Sequence, residues 1–472
     1  VKFAIVLAAL AAMPQAVIAD VESKLPARVQ NVLSHRGIPQ DSLSIYVENL
    51  SRGGIELEWN ADQPRTPASI MKLVTTLVAL DKLGPTYKWR TELFVRGEVR
   101  DKTLHGDLHL KGYGDPYLVT ERIWQLQRRL RQIGIHRITG DLLLDDSWFD
   151  VGVYDPAAFD REPLRAYNVA PNALMANYKV VRYLFTPKLD GTGVEIELEP
   201  PLENVHVINR LSLAPGACNG YQRGIAIQPN ENYDRFTFSG RFPERCRQYS
   251  MGRTALSHNA YAYGLFKSIW EESGGELLGG WKNVPVPEGL EPDLVFDSLP
   301  LVEVISKVNK HSNNVMARQL LYTLAAEEYG APGTEENGRR VVSNWMAERH
   351  LQITDLMLDN GSGLSRTASL SARSMGDLLD YAFSSRYMPE YLSSLSLSGL
   401  DGTLSRRFRD ESLQGVAHMK TGSLDHVSSI AGYLQGQSGN RYAVVVMLNH
   451  TDSHRGTGEE VQDAVLRWVR QK

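Results

Sequence analysis

Two residues one helical turn apart, Ser69 and Lys72, are the pair in this sequence best suited to covalent chemistry. At that spacing they share one face of a helix. A serine hydroxyl becomes a good nucleophile only when something accepts its proton. A lysine accepts it only as the neutral amine, so its pKa must fall by several units, through burial or a second cation nearby. Met71, Leu73 and Val74 flank Lys72 with apolar side chains, which points to burial. Alone, the pair is weak evidence and reads more readily as a helix cap followed by a lysine whose stem lies along the surface.

Two further clusters supply what the pair lacks. Ser312-Asn313-Asn314 opens an apolar helical stretch and offers a hydroxyl and a side-chain amide two residues apart, able to relay a proton and orient a substrate amide. Read by itself, it is an N-cap. Lys420-Thr421-Gly422-Ser423 falls within an otherwise alternating strand. A lysine there is unfavourable unless it has work, and Gly422 removes a side chain where another backbone could approach. An edge strand of this kind can hold an extended peptide by main-chain pairing. Lys420 and Thr421 would then face a carboxylate, and Lys420 would add the charge that lowers the pKa of Lys72. By itself the tetrad also reads as a solvated hairpin strand.

In chain order the three clusters match the Ser-x-x-Lys, Ser-x-Asn and Lys-Thr-Gly set of penicillin-binding proteins and serine β-lactamases. The long interval between Ser69 and Ser312, filled by a β-rich insertion, resembles the class C low-molecular-mass penicillin-binding proteins. These are the D-alanyl-D-alanine carboxypeptidases and endopeptidases of peptidase family S13. Gly112-Tyr113-Gly114-Asp115-Pro116, Asp359 to Arg366 and Asp401-Gly402-Thr403-Leu404 resemble that family too. One stretch departs from it: Phe159-Asp160-Arg161-Glu162-Pro163-Leu164 lacks the tryptophan common in members that favour diaminopimelate side chains.

The resemblance implies a transpeptidase-type α/β (α+β) fold, an antiparallel sheet flanked by helices. It implies Ser69 as nucleophile, Lys72 as its base and Ser312 as proton relay. Asn314, Lys420, Thr421, Gly422 and Ser423 would bind substrate, with the N–H groups of Ser69 and Ser423 forming an oxyanion hole. The implied partners are peptidoglycan peptides, with β-lactams as covalent inhibitors. No metal or organic cofactor is required. A terminal D-Ala and a cross-linked D-centre each place a carboxylate beside the scissile amide, so carboxypeptidase and endopeptidase activities are not separated by these residues.

The surrounding sequence must position these groups. Leu43 to Leu50 and Ile55 to Asn60 read as a hairpin around Ser51-Arg52-Gly53-Gly54. Thr66 and Pro67 read as the cap and first turn of a helix that repeats Ile70, Leu73, Val74, Leu77 and Leu80 and stops at Gly84-Pro85. Short alternating runs fill 91–254, and helices return from residue 255, including Ala260 to Glu272, Leu301 to Asn309 and Asn314 to Tyr329. Three strands (Val416 to Leu424, Ser428 to Leu434, Tyr442 to Leu448) and a helix from about Glu459 close the chain. The expected division is a signal peptide over 1–19, a catalytic domain from 20–90 and 255–472, and an inserted β-rich part over 91–254.

Composition narrows the alternatives. A chain of 472 residues with 42% hydrophobic and 22% charged residues has the composition of an ordinary globular protein of two or three domains. Its formal net charge of −4 gives no reason to expect nucleic-acid binding. The local run Arg128, Arg129 and Arg131 sits opposite Ile123, Leu126, Leu130 and Ile133, and reads as the solvated face of an amphipathic helix. Lys2, the apolar stretch Phe3 to Ala12 and the small-residue site near Ala19 read as a cleaved export signal, giving a periplasmic protein without a membrane span. In that compartment Cys218 and Cys246 can close a loop of about 28 residues, worth about 3 kcal/mol, or remain two thiols. A β-lactamase on the same scaffold would show Glu-x-x-Leu-Asn or a tyrosine in place of Ser312, and neither is present. A catalytically inactive peptidoglycan-binding factor would not need the intact pair of lysines. A homodimer is left open.

Overall fold

A strand whose every residue is apolar, Tyr442 to Leu448, must be covered on both faces, and it lies within a six-stranded sheet. The computed structural model describes residues 24–218, 224–409 and 412–472; the expected signal segment, 1–19, lies outside them. Six antiparallel strands run in the order Ser396–Leu397, Ala417–Leu424, Val427–Gln435, Arg441–Asn449, Leu43–Asn49, Ile55–Trp59. The two chain ends thus share one sheet. Side chains alternate across it. Ala443, Val445 and Met447 join the core under helices Lys72–Leu83, Leu301–His311, Asn314–Tyr329 and Ala372–Ser384. Val444, Val446 and Leu448 face helices Ala27–Arg36 and Thr457–Arg470 on the opposite side. The expected sheet between helical layers is the one observed.

The chain leaves this body after Leu83 and builds a seven-stranded sheet and two three-stranded sheets. One amphipathic helix, Thr120–Gln132, buries Ile123, Leu126 and Leu130 in their shared core, while Ile133 stands outside it, 47% exposed. Packing carries this inserted body further than the sequence texture suggested. Helix His258–Glu272 buries Tyr261, Leu265 and Trp270 in the insertion core, and strand Leu294–Asp297 pairs with Arg90–Arg100. The return to the first body falls near residue 298, not 255. The helical periodicity of 258–272 says that a helix forms but not which core takes its apolar face.

Cys218 and Cys246 are joined, with Cα atoms 4.9 Å apart. The bridge borders an aromatic cluster that includes Tyr183, Phe185, Phe236, Phe238 and Phe242. Among the described residues, no helix is long and apolar enough to cross a membrane. Replacing both cysteines by serine should lower the unfolding free energy by about 3 kcal/mol in denaturant titration. A reducing agent should produce the same loss in the parent protein and none in the double variant.

Candidate active site

Ser69 does not sit in the first turn of a capped α-helix. Ala68–Met71 is a 3₁₀ turn, and the α-helix begins at Lys72. Thr66 does not cap it; its N–H donates to Asn449 Oδ1 at 2.9 Å, tying the turn to the sheet. Ala68 adopts φ 50°, a left-handed conformation that a residue with a Cβ holds at a cost of about 1–3 kcal/mol. The turn is pressed onto the strand Ala417–Leu424. Ser429 Oγ donates to Pro67 O at 2.6 Å, and a Cβ at Gly422 would lie 2.7 Å from Pro67 O and 2.9 Å from Ser69 N. Glycine at 422 is what allows the serine turn and the strand to touch.

Lys72 has no exposed surface. Its Nζ donates to Asn314 Oδ1 at 2.5 Å and to the main-chain oxygen of Ser362, and lies 2.9 Å from Ser69 Oγ. Burial pushes its pKa well below the usual lysine value, and the charges of Lys420 and Arg318 push it the same way. These neighbours decide where the proton moves. A carbonyl and an amide oxygen only accept, so a neutral Lys72 spends both of its N–H bonds on them. Its lone pair is then left for the one neighbour that can donate, the Ser69 hydroxyl.

The loop 359–366 is built to hold that Ser362 oxygen. Asn360 Oδ1 accepts from the Ser362 N–H at 3.0 Å and from its hydroxyl at 2.7 Å. Thr75 Oγ1 donates to Gly361 O at 2.6 Å, and a Cβ at Gly363 would collide with Ala68 O. The loop therefore grips the lysine helix and the serine turn together.

Across the site, Lys420 is also fully buried, and burial pushes it down to about 7. Its Nζ donates to Ser312 Oγ at 2.9 Å and to Thr421 O at 2.6 Å. Ser312 does not begin the helix that follows. It ends Leu301–His311 in a left-handed conformation, φ 55°, and Asn313 caps Asn314–Tyr329 by accepting from Met316 N at 3.0 Å. This break between two helices aims Ser312 at one lysine and Asn314 at the other. Thr421 Oγ1 donates to Thr403 Oγ1 at 2.8 Å. The outermost strand of the sheet pairs only with Met419 and His418, so Lys420 to Leu424 has an open edge.

Ser69, Ser312, Asn314 and Ser423 line one cavity of about 310 Å³, walled by Phe159 and Tyr167 from the insertion and by Arg366. A larger cavity beside helix Glu335–Glu348 holds none of the three clusters. All eight residues singled out in the sequence thus fall around one small volume, as cavity walls or as the groups bonded or packed behind them. Ser362, Asn360 and Thr403 belong there as well. They lie in stretches that carried the family resemblance, but no residue type in them announced a task; Ser362 contributes a main-chain oxygen that any residue could supply.

A sheet with this helical cover and a Ser-Lys-Ser-Lys cavity at its edge defines the penicillin-binding-protein class of fold. It superposes on the crystal structure of penicillin binding protein 4 from Haemophilus influenzae with a TM-score of 0.80 at 22% identity, covering 94% of this chain and 99% of that one. The same protein in complex with a β-lactam gives 0.74 at 21% identity, over 94% and 100% of the two chains. A D-alanyl-D-alanine carboxypeptidase of Actinomadura sp. strain R39 is 29% identical over 422 residues, 84% of this chain and 76% of that one. Residues 25–472 match the D-Ala-D-Ala carboxypeptidase 3 (S13) family, and the chain belongs to that family of serine hydrolases.

Gly422→Ala tests the contact between turn and strand. Its Cβ would meet Ser429 Oγ at 2.2 Å as well as the two backbone atoms. The expected loss is about 1–3 kcal/mol of stability, read by denaturant titration. Alanine at Gly193, where a Cβ meets nothing within 4 Å and the backbone is not left-handed, should leave stability nearly unchanged.

Proposed function

We propose that this protein is a periplasmic, penicillin-sensitive carboxypeptidase and endopeptidase that acts on peptidoglycan stem peptides through an acyl-enzyme on Ser69. The observation that carries the reading is the Lys72 environment: two obligate acceptors, Asn314 Oδ1 and Ser362 O, with Ser69 Oγ at 2.9 Å as the remaining neighbour. The six-stranded sheet and its helices form the catalytic domain, and the body between residues 91 and 297 is an insertion in it.

Ser69 Oγ attacks the carbonyl carbon of the penultimate D-Ala while its proton passes to Lys72 Nζ. The N–H groups of Ser69 and Ser423 hold the oxyanion, each donor contributing about 3 kcal/mol in comparable sites. The C–N bond then breaks. The leaving amine takes up the proton that Lys72 received, relayed through Ser312, which hydrogen-bonds to Lys420, and Lys72 is a neutral amine again. The departing residue's carboxylate lies against Lys420 and Thr421, and Asn314 Nδ2 faces the substrate amide. Water next attacks the ester, gives its proton to Lys72, and Ser69 is regenerated. A β-lactam opens onto the same oxygen but leaves no departing group, which keeps the ester in place. The cavity accepts a terminal D-Ala or a cross-linked D-centre alike, so both activities follow from one site.

Wild-type protein should bind labelled penicillin covalently, and Ser69→Ala should abolish the label. Lys72→Ala should slow acylation by about 10²–10⁴-fold, the usual contribution of a general base. Incubation with a pentapeptide monomer and a cross-linked dimer, followed by mass, should release D-Ala from the first and monomers from the second. Protein that neither takes up penicillin nor cleaves either substrate would overturn the reading.

The pH dependence follows from the two lysines. Lys72 works only when deprotonated, so kcat/KM should rise with pH through its depressed pKa. Lys420 holds a carboxylate only when protonated, so kcat/KM should fall as pH passes about 7 in the free enzyme. The two limbs belong to a coupled pair. Lys420→Arg should remove the alkaline limb at the expense of a lower maximum.

A further inference from the structure

The basic helix of the insertion is more than a solvated face. A groove of about 590 Å³ lies where the chain crosses between its two bodies, with Lys88 just before strand Arg90–Arg100 and Ser298 just after strand Leu294–Asp297. Its other wall is the outer side of helix Thr120–Gln132, with Arg122, Trp124, Arg128 and Arg129. Arg131 turns the other way: its guanidinium covers Trp270 at 4.7 Å and donates to Trp270 O at 3.2 Å. The run of arginines is therefore divided, and two of its three members face the groove.

Cations outnumber acids in this groove, although Asp297 lines it and the buried Asp115 lies close enough to feel the charge of Arg122. Lys88, Arg128 and Arg129 have no ion-pair partner among the described residues. Arg122 spends its guanidinium on neutral oxygens, Gln125 Oε1 at 2.5 Å and the main chain of Asp297. Its buried Nε has no partner at all. Asp297 is the sole acid lining the groove. Lys88, Arg122, Arg128 and Arg129 thus form a local excess of cations on a chain of net charge −4.

Arginine forks suit carboxylates, but the groove is not built for a bare anion. Trp124 is 45% exposed, with the Arg128 guanidinium 5.2 Å from its ring centre, and Phe296 lies beneath Arg122 at 4.5 Å. Gln125 and Gln132 stand beside them. A flat aromatic face next to amide and guanidinium groups complements a ring with one apolar face and polar edges. An N-acetylated sugar bearing a carboxylate has both, whereas a phosphate polymer would leave Trp124 unused.

We propose that this groove binds stretches of glycan strand whose stem peptides have been removed, where the sugar's carboxylate is free. The proposal rests on the peptidoglycan reading of the catalytic site and extends it: the insertion would hold a peptide-free stretch of the polymer while peptides remaining elsewhere on it enter the Ser69 cavity.

The test is calorimetric titration of the full protein with glycan chains freed of peptide by amidase digestion. Wild type should bind them, more weakly as salt rises. Trp124→Ala and the pair Arg128→Glu with Arg129→Glu should each weaken binding by at least about tenfold. These side chains are exposed and outside the catalytic cavity, so penicillin uptake and cleavage of a short soluble pentapeptide should not change. Absence of binding, or equal binding by the variants, would overturn the proposal. So would equal competition by polyphosphate or anionic phospholipid vesicles together with an inert Trp124→Ala. Loss of penicillin uptake in wild type would count against the catalytic reading instead, because the glycan titration does not depend on it.

Discussion

The burial of one amine, Lys72 Nζ, is the constraint on which the catalytic half of this molecule depends. An ammonium group taken out of water is strongly disfavoured, and a neutral amine there still needs partners for its two N–H bonds and its lone pair. Three neighbours meet that need, and they lie 3, 242 and 290 residues away in the chain. Each comes from a different local device: a 3₁₀ turn for Ser69, a break between helices for Asn314, and a glycine-rich loop for Ser362. The sheet, the helices on it and the close approaches at Gly422 and Gly363 hold those devices in one place. Lys420 repeats the pattern on the far side, buried, charged only below about 7, and bonded to Ser312. Burial lowers the proton affinity of both lysines, and the charge of Lys420 lowers that of Lys72 further.

Much of this was legible in the residues. Lys72 in an apolar helix and Lys420 in a buried strand are expensive placements, and expense marked them. Tyr442 to Leu448 read as one of three closing strands, and the structure covers it on both faces. What stayed hidden has physical causes. Thr66-Pro67 has the composition of a helix cap, yet Asn449 claims the Thr66 backbone and the turn tightens to 3₁₀. Ser312 reads as a helix start because the following sequence is helical, while its left-handed conformation is set by the helix it ends. Ser362 acts through a main-chain oxygen, which no side-chain type can signal. The boundary near residue 298 depends on which core receives helix His258–Glu272, and periodicity records a helix's apolar face without naming its partner.

The insertion is tied to the catalytic body by polar contacts as well as by the chain crossings. Gln319, buried in the helix that carries Asn314, accepts from Asn172 N and donates to Asn172 O, both at 2.9 Å. Arg318 on the next residue donates to Val169 O and adds a second cation facing Lys72. The segment that supplies Phe159 and Tyr167 to the cavity is thus fastened beside the helix that sets the lysine's environment. Position and charge around Ser69 and Lys72 are determined by both bodies together.

The most direct measurement is the titration of Lys72 itself, by NMR of protein with isotopically labelled lysine, the signal assigned by its loss in Lys72→Arg. The account predicts a pKa far below the 10.5 of an ordinary lysine, moving upward in Lys420→Met as one neighbouring charge is removed. A Lys72 that titrates near the ordinary value, unmoved by the loss of Lys420, would contradict it.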